Sequence, residues 1–185
     1  RDPVIWGLGL LTLLCMLPEG AVMDWSALYL LKEHGIGVAS AGLGFAFFAG
    51  AMAIMRFAGD ALRNRFGAVA TLRLSTLIAA SALLGAAFAP TAPLVLAAFA
   101  LAGFGLANTV PIMISAAGNH PGLSAGAALS TVTMIGYSGI LVAPSAIGFV
   151  AEHLGFRLTY AALAVPLLAV SALSRIARNA DHPQV

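Results

Sequence analysis

The stretch LPEGAVMDW, residues 17–25, places two carboxylates and a Pro/Gly pair inside an apolar segment that extends from about residue 4 to residue 31. A segment of about 20 apolar residues is long enough to cross a lipid bilayer. Ionisable side chains at such depth are costly to bury, and they usually mark a functional site. The stretch therefore predicts a membrane-spanning helix with Glu19 as its first candidate for function.

The composition of the whole chain extends this prediction. Of the 185 residues, 61% are hydrophobic and 9% are charged, whereas about a quarter of a soluble domain is charged. The mean hydropathy is +0.98. Five further apolar segments lie at about 36–55, 74–89, 93–117, 124–150 and 158–174. We predict a single all-α integral membrane domain with six transmembrane helices, followed by a polar, frayed tail at 175–185.

Basic residues fall unevenly on the two sides of this predicted bundle. Six spans bring both termini to one side, and Lys32 and Arg157 lie on the other. Seven of the nine basic residues lie on the terminal side: Arg1, Arg56, Arg63, Arg65, Arg73, Arg175 and Arg178. The positive-inside rule then predicts cytoplasmic termini. Because the basic residues are scattered singly and form no face, no nucleic-acid partner is expected.

Polar side chains in three predicted spans mark a candidate substrate cavity. Trp25 and Tyr29 are one helical turn apart, where aromatic rings either anchor the helix at the membrane interface or stack on a sugar. An intramembrane amide at Asn108 needs a protein partner or a substrate hydroxyl. For the hydroxyls, bonding back to their own helix is the alternative. The full predicted set is Trp25, Ser26, Tyr29, Asn108, Ser130, Thr131, Tyr137 and Ser138.

The sequence RFAGDALRNRFGAVATLR, residues 56–73, predicts a short charge-dense loop. Gly59-Asp60 followed by Arg65-Phe66-Gly67 resembles the cytoplasmic loop signature of the major facilitator superfamily, Gly-x-Leu-x-Asp-Arg-x-Gly-Arg-Lys. The chain departs from that signature by four extra residues, 61–64, and by Ala68-Val69 in place of the final basic pair. The resemblance implies a cytoplasmic gate; simple positive-inside anchoring is the alternative. The gate candidates are Arg56, Asp60, Arg63, Arg65 and Gly67.

Two further stretches are similar to bacterial members of this superfamily. Residues 19–30 resemble helix 7 of the fucose-permease-like group, and Gly136-Tyr137-Ser138-Gly139 with Pro144 resembles helix 11. The resemblance implies the C-terminal half, helices 7 to 12, built as a 3+3 inverted repeat. Because the chain opens on Arg1-Asp2-Pro3, we expect it to begin partway through a larger protein. The predicted sites of helix breaks or close packing are Pro18, Gly20, Gly136, Gly139 and Pro144.

The function that this resemblance implies is secondary active transport across a bacterial inner membrane. We expect a small polar solute, with a sugar as one candidate, to move by alternating access between this half and an N-terminal half. Glu19 is expected to carry the coupling proton, and a neutral glutamate held for structure is the alternative. Export of a drug or metabolite is the second function. Besides protons no cofactor is expected, and the other partners are the substrate and the lipid bilayer.

Two rival functions follow from other features. Gly136-Tyr137-Ser138-Gly139 also resembles the Gly-x-Ser-Gly of intramembrane rhomboid proteases, but no histidine is expected near Ser138 at mid-membrane. A six-helix channel or half-size carrier that dimerises is the other rival. The four histidines, His34, His120, His153 and His182, fall in predicted turns or the tail, so no metal site is predicted.

Overall fold

The computed structural model describes residues 2–181, so Arg1, His182 and the last three residues lie outside the described range. Within that range, six helical segments are long and apolar enough to cross a membrane. These spans, numbered 1 to 6, are Pro3–His34, Val38–Phe66, Ala68–Phe88, Ala92–Gly118, Ala125–Leu154 and Phe156–Asp181. The predicted all-α fold with six transmembrane helices is confirmed.

Three of the spans are interrupted, and the interruptions differ from the predicted one. Span 1 is one helix through Pro18 and Gly20, so the predicted break there is wrong. Gly42 divides span 2 into Val38–Ala41 and Leu43–Phe66. Span 4 consists of Ala92–Leu106 and Thr109–Gly118. Span 6 consists of Phe156–Ala162, Ala164–Leu173 and a 3₁₀ helix at Ser174–Asp181.

Local chemistry fixes both ends of span 1. The Asp2 carboxylate accepts a hydrogen bond of 2.8 Å from the Val4 N–H and caps the helix, while Pro3 sits in the first turn, where a missing N–H costs nothing. Gly35, at φ 61° and ψ 23°, ends the helix in the left-handed conformation, which glycine adopts without a steric penalty. At its C-terminal end the helix therefore extends about one turn beyond the apolar segment, which ends at about residue 31.

Tyrosines tie span 1 into the interior of the bundle. The Tyr29 hydroxyl donates a 2.6 Å hydrogen bond to the Ala86 carbonyl of span 3. In a continuing helix that carbonyl would bond to residue 90, which is a proline without an N–H. The Tyr160 hydroxyl of span 6 donates to the Ala21 carbonyl at 3.0 Å. The two tyrosine rings are 4.9 Å apart and both contact Phe99 of span 4. Spans 1, 4 and 6 therefore meet in one aromatic cluster, which the Tyr29 hydroxyl ties to span 3.

Small residues bring spans 2, 3 and 4 into backbone contact. A Cβ atom built on Gly105 of span 4 would lie 2.6 Å from the Ser75 carbonyl oxygen and 2.7 Å from the Ala79 nitrogen of span 3. One built on Gly103 would collide with the Phe48 carbonyl oxygen of span 2. Close approach of this kind is the main source of helix association in lipid, where burial of apolar surface is not a driving force.

The 3₁₀ helix docks at the end of the bundle where Asp2 and Asp181 lie, called here the terminal end. The Asp181 carboxylate accepts the Ala68 N–H at 2.8 and 2.9 Å and pairs with Arg63 at 3.6 Å. It therefore places a negative charge at the N-terminus of span 3, where the helix dipole favours one. The predicted frayed tail is wrong for residues 175–181, because this segment packs with Ala177 and Ala180 fully buried.

A second polar cluster joins the same 3₁₀ helix to the start of span 1. His120, in the connection between spans 4 and 5, lies 2.8 Å from the Asp2 carboxylate, and the Asn179 amide lies 3.1 Å from its other ring nitrogen. The hydrogen bond with His120, reinforced by the Val4 N–H, lowers the pKa of Asp2 below its ordinary value. The terminal end is thus fastened through side chains from three separate parts of the chain.

The predicted loop at residues 56–73 is also wrong. Span 2 continues as a helix to Phe66, span 3 begins at Ala68, and Gly67 alone connects them at φ 79°. Hydropathy ended the predicted span before Arg56 because four arginines, Arg56 included, fall within the 18 residues 56–73. The helix nevertheless continues, because long cationic side chains can extend toward water from a helix end.

Candidate functional site

Spans 1 and 5 pack along a seam that is made possible by glycines of span 5. A Cβ on Gly136 would lie 2.6 Å from Thr12 Cγ2, and one on Gly139 would lie 2.6 Å from Leu13 Cδ1. Further along, a Cβ on Gly148 would lie 2.7 Å from the Trp25 ring. Gly136 and Gly139 therefore allow spans 1 and 5 to pack closely, which is one of the two roles predicted for them.

A groove opens along this seam and contains both carboxylates of the LPEGAVMDW stretch. It encloses about 230 Å³ between the two spans. Its lining is apolar apart from the two acids and consists of Met16, Glu19, Gly20, Met23, Asp24, Gly139, Ile140, Ala143 and Pro144. We call it the acidic groove. Glu19 and Asp24 lie about 140° apart around the helix, yet both border the same space.

Glu19 lies at the middle of span 1. It is 16 residues from Pro3 and 15 from His34, so it is about 24 Å from one end of the helix and about 22 Å from the other at 1.5 Å per residue. Its side chain is half-buried. None of the three ion pairs between side chains of residues 2–181 involves Glu19. A carboxyl group is thus held at mid-membrane without a contacting cation.

Arg56 is a further charged side chain within a membrane-spanning helix. It lies ten residues before the end of span 2, about 15 Å from Phe66 along the helix. Its guanidinium contacts the Met52 sulfur at 3.5 Å. The sequence assigned Arg56 to a gate at the membrane surface, whereas the structure places it within a span.

Several residues of the predicted substrate cavity lie inside helix contacts instead. Tyr29 and Ser26 are 0% and 1% exposed, and Ser26 packs against Gly44 of span 2. Trp25 is half-buried against Gly148, and its indole nitrogen is buried without a hydrogen-bond partner. Interfacial anchoring of Tyr29 in lipid is wrong, because its ring is enclosed by the aromatic cluster.

Asn108 is likewise a contact between helices. It occupies the interruption of span 4 at φ −108° and ψ 0°, and its amide donates to the Met55 carbonyl at 3.5 Å. Its side chain fills the space where Gly59 of span 2 lacks a Cβ. The partner expected for this amide is therefore the backbone of span 2, and Asn108 is not open to the acidic groove.

The hydroxyls of span 5 bond mainly to their own helix. Thr131 donates to the Ala127 carbonyl at 2.9 Å, and Ser138 donates to the Ile135 carbonyl at 2.7 Å. Ser130 is exposed, and the Tyr137 ring is 47% exposed. None of these four residues borders the acidic groove. The structure thus separates the hydroxyl stripe from the two acids.

The predicted gate residues are distributed over the terminal end. Arg63 binds Asp181, Gly67 forms the turn, and the Arg65 guanidinium lies 5.5 Å from the centre of the Phe66 ring. Asp60 is exposed on span 2. Asp181 could not be predicted as a partner for this region, because the two segments are more than 100 residues apart.

The histidine positions bear on the rival protease function. His153 lies in the last turn of span 5 with its Nδ1 atom 2.8 Å from the Phe149 carbonyl oxygen. It is 15 residues from Ser138, about 22 Å along the same helix.

Residues 2–181 contain no cluster of three or more histidine, cysteine, aspartate or glutamate side chains that could hold a metal ion.

These features define a polytopic membrane protein whose helical bundle carries charged groups in an intramembrane groove. Comparison with known proteins gives the family: the Major Facilitator Superfamily profile matches residues 5–185. The chain belongs to this superfamily.

Three relatives support the assignment. An uncharacterized MFS-type transporter of Yersinia pestis is 37% identical over 168 residues, covering 91% of this chain and 44% of that protein. An uncharacterized transporter of Sinorhizobium fredii is 33% identical over a region that covers 82% of this chain and 40% of that protein. The membrane protein MosC of Rhizobium meliloti is 35% identical over a region that covers 80% of this chain and 36% of that protein. The chain thus spans less than half the length of these relatives, which are named as transporters or as a membrane protein, not as enzymes.

Proposed function

We propose that this chain is the C-terminal six-helix half of a proton-coupled secondary transporter and that Glu19 carries the coupling proton. The observation that carries the proposal is a carboxyl group at the middle of span 1, open to the acidic groove and without a contacting cation. An ionisable side chain at that depth is costly and usually marks a functional site, and proton relays are a common kind. Membership of the superfamily supports transport as the general activity.

Arg56 has a defined part in this proposal. In this proposal, the positive charge of Arg56 on span 2 offsets the charge of ionised Glu19 at a distance. When Glu19 is protonated, the charge of Arg56 is left unbalanced. Binding of a proton or of a substrate therefore changes the electrostatic energy between spans 1 and 2. Such a change can bias two arrangements of the bundle, which is what alternating access requires.

The architecture proposed for the complete protein is a 3+3 inverted repeat in each half, with both ends of this chain in the cytoplasm of a bacterial cell. Two observations support it. The turns at Gly67 and Gly155 have nearly the same conformation, φ 79° and ψ 159° against φ 81° and ψ 157°, and they follow the second span of each triplet. Arginines gather at the terminal end, as the positive-inside rule expects for a cytoplasmic face.

For the substrate we propose a small polar solute, with a sugar as the first class to test. A specific observation favours the second candidate, export of an amphipathic compound: Met16, Met23 and Ile140 make the acidic groove largely apolar. The hydroxyl stripe of span 5 lies outside this groove, so it would contact a sugar only if the sugar bound elsewhere. Accumulation of a sugar against its gradient would support the first candidate. Outward movement of an amphipathic cation would support the second.

The experiment uses the complete transporter in proteoliposomes with an imposed pH gradient and a radiolabelled substrate identified by a sugar screen. Glu19→Gln is expected to abolish accumulation against a gradient while exchange of labelled for unlabelled substrate continues, because the neutral amide binds no proton. Asp24→Asn is the matched control, since it removes the other carboxyl of the groove and is expected to keep accumulation. Unchanged accumulation by Glu19→Gln would refute the coupling role.

A further inference from the structure

A second cavity, on a different face of the bundle, has features that the transport proposal does not use. It is an apolar groove of about 350 Å³ between spans 2, 3 and 4, and no residue of spans 1, 5 or 6 borders it. Its walls include Met55, Leu62, Phe66, Leu74, Ile78 and Phe104. We call it the lateral groove. Phe66 and Leu74 are 59% and 58% exposed, so the groove is open along its outer side.

The lateral groove meets a polar pocket at the terminal end. Leu62 and Phe66 line the groove, while the residues that follow them, Arg63 and Gly67, line a polar pocket of about 430 Å³. Asn64 and Asp181 complete that pocket. An elongated apolar space and a charged space therefore share one stretch of span 2, the apolar one extending toward mid-membrane and the charged one at the rim.

The charges at this rim favour an anion. The Asp181 carboxylate is already engaged by the Ala68 N–H and by Arg63. The guanidinium of Arg65 lies over Phe66 at the mouth of the groove and has no carboxylate partner among residues 2–181. Asp60 lies about 160° around the helix from Leu62, so it faces away from the groove. A phosphate at the mouth of the groove would meet Arg65.

We propose that the lateral groove, with Arg65 at its mouth, forms a binding site for an anionic phospholipid. One acyl chain lies between Leu62, Phe66 and Leu74, and the phosphate is held by Arg65. The length from Leu62 to Met55, seven residues of helix, is about 10 Å and runs in the direction of an acyl chain. The lining of the lateral groove carries no charged residue, which separates it from the acidic groove and suits contact with lipid.

The test measures stabilisation of the delipidated complete transporter in detergent by two lipids with the same chains, palmitoyl-oleoyl phosphatidylglycerol and palmitoyl-oleoyl phosphatidylcholine. We expect the anionic lipid to raise the melting temperature at lower concentration than the zwitterionic one. Arg65→Gln should weaken the apparent affinity for phosphatidylglycerol about fivefold, since a basic residue near an anionic headgroup contributes about 1 kcal/mol. It should weaken the affinity for phosphatidylcholine less, because the choline cation already offsets the charge of that lipid's phosphate. Arg178→Gln, an exposed arginine of the 3₁₀ helix, is the matched control.

Groove occupancy needs a separate variant. Ala70→Phe projects a ring into the lateral groove and should remove stabilisation by both lipids, whereas Ala162→Phe, exposed on span 6, should not. If Ala70→Phe fails to fold, Leu74→Trp at an exposed position reports occupancy through quenching by phosphatidylglycerol with brominated chains. Equal affinity for the two lipids in the unmodified protein, unchanged affinity in Arg65→Gln, or quenching of Leu74→Trp no stronger than by brominated phosphatidylcholine would overturn the proposal.

Discussion

Gly105→Ala is expected to destabilise the bundle although it adds a single methyl group. The added Cβ would lie 2.6 and 2.7 Å from the Ser75 carbonyl oxygen and the Ala79 nitrogen, against about 3.5–4.0 Å for an unstrained contact. Both atoms belong to the backbone of span 3, so a whole helix must move. Overpacking of this kind costs about 3 kcal/mol at the upper end of its range, and the higher helix propensity of alanine returns about 1 kcal/mol.

The net loss of about 2 kcal/mol corresponds to a fall of about 4–8 °C in melting temperature for a chain of this size. The matched control is Gly85→Ala, where a Cβ would meet nothing within 4 Å, and a rise of up to about 4 °C is expected from the gain in helix propensity. The assay is thermal loss of ellipticity of this 185-residue chain, purified in detergent. If Gly105→Ala melts at or above the unmodified protein, spans 3 and 4 do not approach as described.

Three further predictions concern the polar contacts between spans. Asp181→Asn should weaken the contact with Arg63 and the helix dipole by about 1 kcal/mol, seen as faster hydrogen exchange at the start of span 3; unchanged exchange would contradict the docking. Tyr29→Phe should cost about 1–3 kcal/mol, because the Ala86 carbonyl is left unpaired in the interior; a variant with an unaltered melting temperature would count against that hydrogen bond. The pKa of Asp2 is lowered, so its contribution to stability is present above the ordinary carboxyl pKa and is lost as the pH falls through the lowered value. An NMR titration that gave an ordinary pKa for Asp2 would refute this.

The number of spans and most of their boundaries could be predicted from sequence because each span must be long and apolar. The end of span 2 could not, because Arg56 and the arginines beyond it lower the local hydropathy while the helix continues to Phe66. The docking of residues 174–181 was also hidden. It depends on Asp181 meeting Ala68 and Arg63, which are far away in sequence.

The candidate site was predicted in part. Glu19 stood out because one acid in a long apolar segment is conspicuous, and it borders a groove. The burial of Tyr29, Ser26 and Asn108 could not be predicted, since a helix surrounded by lipid on one side and protein on the other carries apolar residues on both faces. Hydrophobic periodicity therefore does not distinguish a side chain in a helix contact from one that faces a cavity.

The central claim, that Glu19 carries the coupling proton, is tested most directly by counting protons. The complete transporter, purified in weakly buffered detergent near neutral pH, is mixed with saturating substrate, and the uptake or release of protons is measured with a pH indicator. We predict a change of up to about one proton per transporter in the unmodified protein and in Asp24→Asn, and none in Glu19→Gln at the same substrate occupancy. An equal proton change in Glu19→Gln would contradict the account.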